Sequence, residues 1–139
     1  MSAETNTDSV LQWMADSPFI AFMNLELIEA DAEKGAIRMK MPMRREFERA
    51  AATGQFHGGP ITAFIDTVGD FAVALLTGGP VPTINFRVDF LRPSVGPFLV
   101  ASATVRRIGK TVAVVNIDVT DDQNRLTAVG RGCYSSVLG

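Results

Sequence analysis

The chain has 139 residues, of which 47% are hydrophobic and 20% charged, a composition typical of one globular domain. The formal net charge of −2 argues against a broad basic surface for nucleic acid. The longest wholly apolar run, residues 71–76, is too short to cross a membrane, and residues 1–10 lack the features of a secretory signal. The single cysteine and single histidine argue against disulfides and multi-histidine metal sites. We therefore expect one cytoplasmic domain over residues 1–139, without a metal ion.

Residues 1–24 predict a helical segment ahead of the first strand. Asp8 or Ser9 is a suitable N-cap for a first short helix. Ser17 precedes a proline, which is typical of the start of a second helix. From residue 25 the pattern changes to that of two strands, and an alternation of apolar and charged side chains over residues 37–41 marks the second of them.

The longest helical signal follows an irregular segment, residues 44–56. Its apolar residues recur at intervals of three and four: Ile61, Phe64, Ile65, Val68, Ala72 and Leu75. The Gly-Gly-Pro sequence at residues 78–80 ends the helix. Because the helix is apolar on most of its circumference, it must be covered on more than one side.

After residue 80 the sequence predicts four strands, at residues 83–90, 98–106, 111–120 and 126–137. Polar and apolar residues alternate along the first of them, which predicts one face exposed to solvent, carrying Thr83, Asn85, Arg87 and Asp89. Short turns between consecutive strands require antiparallel pairing. We therefore predict an α+β domain in which an antiparallel sheet of five to six strands curls around one long central helix. Such a sheet leaves an edge exposed, which dimerisation usually covers.

The segment from Gln55 to Asp66, QFHGGPITAFID, is the one in which we expect chemistry. Gly58 and Gly59 lie where a loop enters the long helix. Backbone amides at a helix N-terminus bind anions and developing oxyanions, and glycine lets a ligand approach them closely. Two glycines before a helix are also common in simple turns, so this feature alone leaves both interpretations open.

Asp66 lies between Thr62 and Asp70 on a polar stripe of the helix. The stripe faces solvent, a partner chain or a pocket, and a helix wrapped by a sheet has little solvent to face. Gly58 is roughly 12 Å from Asp66 along the helix, at about 1.5 Å per residue. Because one reacting carbonyl can hardly contact both, we expect a composite site with Gly58 from one subunit and Asp66 from the other.

His57-Gly58-Gly59, an apolar helix and an aspartate nine residues after the histidine resemble the hotdog-fold thioesterases, in particular the phenylacetate-pathway (PaaI-like) acyl-CoA thioesterases. The resemblance spans residues 25–138 and includes the stretches at residues 83–93, 106–121 and 128–139. It implies a hotdog fold and an enzyme that hydrolyses acyl-CoA to a carboxylic acid and CoA. It also implies a homodimer or homotetramer (a dimer of dimers), with CoA as part of the substrate and no separate cofactor.

The resemblance implies roles for single residues. The amide of Gly58, with Gly59 beside it, would polarise the thioester carbonyl. Asp66 would act as nucleophile or as general base for water. Thr83 matches a position at which relatives carry a serine or threonine that orients the water. His57 is expected to support the loop through hydrogen bonds rather than to transfer protons.

One position departs from the family pattern. Many relatives carry asparagine or glutamine six residues before the histidine, where this chain has Ala51. Gln55, Thr53 and Glu48 are the candidates to replace that side chain. The departure leaves the detailed mechanism open.

The phosphates of CoA require cationic side chains near the site. Arg107 and Lys110 lie on a turn that in relatives is close to the nucleotide. An ordinary charged hairpin is the alternative interpretation of the same residues.

Two other functions fit the sequence. The first is a hotdog enoyl-CoA hydratase, in which His57 would be catalytic. The second is a non-catalytic acyl-CoA binding module, which the absence of an amide side chain at Ala51 favours.

Overall fold

Two short helices precede the sheet in the computed structural model, which describes residues 5–138. Helix α1 spans Thr7–Asp16 and helix α2 spans Pro18–Met23. The N-cap of α1 is Asn6, which exchanges hydrogen bonds with Ser9 in a capping box, so the prediction of Asp8 or Ser9 as the cap was wrong. Ser17 caps α2 as predicted, accepting a hydrogen bond from the backbone amide of Ile20 at 3.2 Å. The ends of the predicted domain, residues 1–4 and 139, lie outside the described residues.

Six strands and one long helix form the rest of the chain. A single 3-10 turn, Arg45–Phe47, lies in the segment predicted to be irregular. The elements are β1 (Glu26–Asp31), β2 (Ala36–Pro42), α3 (Gly58–Thr77), β3 (Thr83–Phe90), β4 (Phe98–Ile108), β5 (Val112–Thr120) and β6 (Leu126–Ser135). This order confirms the prediction of two strands, a long helix and four strands.

All neighbouring strands pair antiparallel, in the order β1-β2-β4-β5-β6-β3. Strand β3 follows α3 in the chain but pairs with the last strand, β6, so that it occupies an edge of the sheet. The predicted α+β architecture, one antiparallel sheet with a long central helix, is confirmed.

Helix α3 supplies the centre of the core. Its fully buried side chains include Phe64, Ile65, Val68 and Leu75, and the sheet contributes the opposing layer with Met39, Leu99, Val115 and Ile117. The helix is long and apolar enough to span a membrane, but more than half of its most apolar stretch is buried inside the fold. Its apolar character therefore matches the role of a core helix.

Tyr134 on β6 is fully buried against α3, where two glycines make room for it. A methyl group on Gly69 would overlap the tyrosine hydroxyl, and one on Gly132 would overlap its ring. The hydroxyl donates a hydrogen bond to the backbone carbonyl of Asp66 at 3.1 Å. Tyr134 thus fixes the third turn of α3 relative to the sheet.

Strand β3 departs from the predicted alternation at its first residues. The register shifts between Thr83, which pairs with the buried Tyr134, and Asn85, which pairs with Cys133. Thr83, Asn85 and Arg87 are all exposed, as the alternation predicts, and the hydroxyl of Thr83 also contacts Asp66 on α3. The opposite face of the strand, which the alternation predicts to be buried, is exposed at both of its ends. Ile84 and Phe90 each retain 54% of their accessible surface at the sheet edge.

Candidate active site

The start of α3 is held by hydrogen bonds from the loop before it. The amide of Phe56 donates to the carbonyl of Ser94 at 2.8 Å, and the amide of His57 donates to the carbonyl of Phe47 at 2.7 Å. His57 is the N-cap of the helix, and its Nδ1 accepts the amide hydrogen of Gly59 at 2.9 Å. Within residues 5–138 the amide of Gly58 has no hydrogen-bond partner. The helix therefore begins with one donor free to bind an oxyanion.

A groove of about 360 Å³ opens beside Gly58. Gln55 lines it together with Ile61 and the end of β3. A Cβ atom on Gly58 would lie 3.3 Å from the ring of Phe90, so glycine keeps the backbone accessible here. Two arginines, Arg49 and Arg92, also line this groove. We call it the Gly58 groove.

A second groove, of about 410 Å³, lies between the N-terminal helices and α3. Its apolar lining includes Trp13, Phe19, Ile20 and Phe71, with the rings of Trp13 and Phe71 5.7 Å apart. Three carboxylates also line it, from Asp16, Asp66 and Asp70. We call it the Asp66 groove, and its mixture of apolar walls and a few acids suits an apolar ligand that reacts at one end.

The carboxylate of Asp66 is held by a neighbouring strand. The hydroxyl of Thr83 donates to its Oδ1 at 2.8 Å. Burial raises the pKa of Asp66 above the ordinary value, while the Thr83 bond and the nearby Tyr134 hydroxyl oppose that rise. A half-buried carboxylate with a raised pKa is a stronger base than one in water, and it is positioned here by a single donor.

Asp70 lies one turn further along α3, in the same groove. Burial, together with the charge of Asp66, raises the pKa of Asp70 to about 7, although a hydrogen bond from the Val81 amide at 3.0 Å opposes the rise. Burial and both aspartates also raise the pKa of Tyr134. Asp70 therefore exchanges its proton close to neutral pH.

The predicted residues lie at two separate places. Gly58 lines the Gly58 groove, with His57 and Gly59 beside it at the start of α3. Asp66 lines the Asp66 groove and accepts the hydrogen bond of Thr83. The structure thus joins Thr83 to Asp66 and leaves Gly58 apart from both within one chain.

Three residues were proposed to replace the missing amide side chain at Ala51, and they differ in whether their side chains are free to contact a ligand. Glu48 accepts hydrogen bonds from the amides of Ala52 and Gly54, at 3.2 and 2.8 Å, and the hydroxyl of Thr53 donates to the Ala50 carbonyl. Both side chains hold the loop together. Gln55 is the one of the three that lines the Gly58 groove.

Arg107 and Lys110 lie at and beyond the end of β4, and they line neither groove of this chain. The arginines beside Gly58, Arg49 and Arg92, were not predicted as site residues. Arg49 lies in a run of mixed charges that is typical of a solvated segment, and only the folded loop brings it next to the helix start. Within residues 5–138 no group of three His, Cys, Asp or Glu side chains could hold a metal ion.

Comparison with known sequences identifies the family. The profile of the thioesterase superfamily matches residues 53–128. A Halobacterium salinarum protein that is named as a proposed esterase is 32% identical to this chain. The match covers 90% of this chain and 88% of that protein. Human acyl-coenzyme A thioesterase 13 is 29% identical over 64% of this chain and 66% of its own length.

Solved structures share the whole architecture. A crystal structure of a thioesterase-superfamily protein, 31% identical, superposes with a TM-score of 0.86 and covers 92% of this chain and 96% of the other. The Escherichia coli PaaI protein from the phenylacetic acid degradation operon has a TM-score of 0.82 at 22% identity, covering 95% and 93% of the two chains. At that identity the second likeness concerns the fold, and the hotdog fold implied by the sequence is confirmed.

Proposed function

Because the chain belongs to the thioesterase superfamily and has the hotdog fold, we propose that it hydrolyses acyl-CoA to a carboxylic acid and CoA, as the PaaI-like resemblance of its sequence implies. The observation that carries this proposal is the half-buried carboxylate of Asp66, held by the Thr83 hydroxyl in an apolar groove. Hydrolysis of a thioester needs a base or nucleophile beside an apolar acyl site, and this groove supplies both.

In the proposed reaction the carbonyl oxygen of the thioester binds the free amide of Gly58. As a general base, Asp66 takes a proton from water while the water oxygen attacks the carbonyl carbon. The tetrahedral oxyanion then collapses, the C–S bond breaks, and the CoA thiolate leaves and is protonated. As a nucleophile, Asp66 would displace the thiolate itself and form a mixed anhydride, which water then hydrolyses. Both routes use the same three groups: Gly58, Asp66 and Thr83.

We propose that this site is composite and requires a dimer. Strand β3 runs beside α3, with Thr83 at the Asp66 end and Phe90 at the Gly58 end. It is an edge strand with large exposed apolar side chains, which favours pairing with a second copy. Antiparallel pairing of two β3 edges about a twofold axis would place the Gly58 end of one chain against the Asp66 end of the other.

The remaining predicted residues keep supporting roles in this proposal. His57 is tied to Gly59 through Nδ1, so its neutral form carries the proton on Nε2 and has no free base there. This favours a loop-supporting role over the base that an enoyl-CoA hydratase would need. Gln55 would orient the thioester or the water from the Gly58 groove.

The CoA phosphates are proposed to bind cations at the mouth of the composite site. Arg49 and Arg92 lie beside Gly58, where the thioester must enter. Arg107 and Lys110 stay candidates if a partner chain brings its β4–β5 turn to the nucleotide.

The test measures thiol release from short-chain, medium-chain and aryl-acetyl CoA thioesters, with the wild type and Asp66→Asn compared. The variant keeps the size of the side chain but loses its base, so we expect kcat to fall about 10²–10⁴-fold. Asp118→Asn is the matched control, because Asp118 is exposed on the outer face of the sheet and lines neither groove. It should keep wild-type activity.

The other outcomes separate the alternatives. Equal activity of the wild type and Asp66→Asn removes Asp66 from the mechanism. Saturable binding of acyl-CoA without thiol release identifies a binding module, and turnover of enoyl-CoA without thiol release identifies a hydratase.

A further inference from the structure

We infer that Asp70 is a positioning residue, which holds the start of β3 so that Thr83 reaches Asp66. This inference rests on the proposed function, because it concerns the orientation of the proposed base. Asp70 would contact neither the thioester nor the water. It would act through the backbone of the segment between α3 and β3.

Two hydrogen bonds connect α3 to the start of β3, one accepted by Asp70 and one by Asp66. Oδ1 of Asp70 accepts the amide hydrogen of Val81 at 3.0 Å. Val81 is buried and lies two residues before Thr83, whose hydroxyl donates to Asp66 at 2.8 Å. Because Asp66 and Asp70 are one helical turn apart, two neighbouring carboxyl groups hold two neighbouring points of the same segment.

The segment between α3 and β3 has few backbone amides through which the helix could hold it. Residues 78–82 read Gly-Gly-Pro-Val-Pro, and neither proline has an amide hydrogen. Val81 therefore carries the one amide hydrogen between Gly79 and Thr83, and Asp70 accepts it. The two glycines before it make the chain flexible, so this bond restricts how β3 approaches the helix.

Asp70 has no cation beside it in the Asp66 groove, because among the described residues no Lys, Arg or His lines that groove. The titratable groups around Asp70 are Asp66 on the same helix and Tyr134 from β6, and Asp16 lines the groove from α1. The burial that raises the pKa of Asp70 to about 7 lets the group hold a proton near neutral pH. The oxygen that accepts from Val81 can do so in either protonation state.

The experiment compares Asp70→Asn, which keeps an acceptor oxygen, with Asp70→Ala and Asp70→Ser, which lack one at that reach. We expect kcat for thiol release to stay within about threefold of the wild type in Asp70→Asn. In the other two variants it should fall about tenfold or more, with KM changed less than about threefold. An Asp70→Asn variant as impaired as Asp70→Ala would overturn the inference. The shorter serine serves if Asp70→Ala does not fold.

A double-mutant cycle tests whether Asp70 acts through Thr83. We expect kcat of the double variant Asp70→Ala/Thr83→Ala to lie within about threefold of kcat of Thr83→Ala alone. Once the Thr83 hydroxyl has been removed, Asp70 has nothing left to position. Full multiplication of the two losses would contradict the inference.

Hydrogen exchange of the Val81 amide gives a readout that does not depend on catalysis. Exchange should remain slow in the wild type and in Asp70→Asn and become at least about tenfold faster in Asp70→Ala. A wild type that releases no thiol contradicts the proposed function. Unchanged exchange at Val81 in Asp70→Ala contradicts the positioning role itself, so the two failures are distinguishable.

Discussion

The carboxyl groups of Asp66 and Asp70 lie on the same face of α3 and line the same groove. Among the described residues no cationic side chain lines that groove. Burial of both favours their protonated forms, and each is held by one donor from the segment that starts β3. An isolated pair of like charges at this spacing destabilises a helix by a few tenths of a kcal/mol, and burial increases the cost. Such strain is typical of a site that is kept for chemistry rather than for stability.

The raised pKa of Asp70 predicts how stability depends on pH. Because the folded-state pKa is about 7 and the unfolded value is near 3.8, the folded chain binds more protons between these values. The contribution of Asp70 to the free energy of unfolding therefore falls as pH rises from about 4 to about 8. Asp70→Asn removes this loss, so its melting temperature minus that of the wild type should increase over this range.

Thermal unfolding at several pH values checks this expectation, with Asp118→Asn, a substitution at an exposed position of β5, measured beside it. A difference between Asp70→Asn and the wild type that does not grow with pH would show that Asp70 is ionised freely in the folded protein.

Single-residue positions were predictable where the sequence pattern itself carries them. The HGG motif lies at the start of α3 and Asp66 lies on the same helix, as predicted, because a helix start and a helix spacing are local features. The link of Asp70 to Val81 and the position of Arg49 beside Gly58 depend on loops that return to the helix from distant parts of the chain. No local periodicity encodes those contacts.

At the level of elements, the alternation along residues 83–90 correctly predicted that Thr83 is exposed, but it did not predict the register shift beside it. The same alternation places Ile84 on the buried face of the strand, whereas Ile84 is exposed. The hydroxyl of Thr83 contacts Asp66 from the start of this strand. A bulge adds one residue to one strand without a distinctive sequence signal, so periodicity alone could not detect it.

The order of strands was likewise only partly predictable. Short turns fix β4, β5 and β6 as neighbours, which the structure confirms. The pairing of β3 with β6 joins strands that are far apart in the sequence, and its hydrogen bonds leave no local pattern. This pairing is what makes β3 an edge strand.

Gly69 provides a test of how α3 packs on the sheet. Alanine normally stabilises a helix interior by about 1 kcal/mol relative to glycine. Here its methyl group would overlap the buried Tyr134 hydroxyl, so we expect Gly69→Ala to lower the free energy of unfolding by about 1–3 kcal/mol. Denaturant unfolding measures the change.

Two controls belong with that measurement. A methyl group on Gly79 would make only an ordinary contact, so Gly79→Ala should change stability by less than about 0.5 kcal/mol. The cost of Gly69→Ala should also be smaller in a Tyr134→Phe background, because the hydroxyl is then absent. A stabilised Gly69→Ala variant would contradict the packing described for Tyr134.

For the whole molecule, one chain holds the parts of the proposed site in two separate grooves. Gly58 opens to one side of α3 and Asp66 to another, and the exposed edge strand β3 runs between them. A twofold axis at this edge would combine the Gly58 groove of each chain with the Asp66 groove of the other and so create two equivalent sites. In the proposed composite site, activity would belong to a pair of chains and not to one chain alone.

Subunit complementation tests this central claim most directly. Gly58→Val, which fills the Gly58 groove, and Asp66→Asn are each expected to be inactive as homodimers, and the two variants are coexpressed with different tags. If the site is composite, each mixed dimer has one intact site, and random mixing should restore about a quarter of wild-type thiol release. If Gly58 and Asp66 of the same chain act together, every site carries one of the two defects, and the coexpressed sample would stay as inactive as either variant alone.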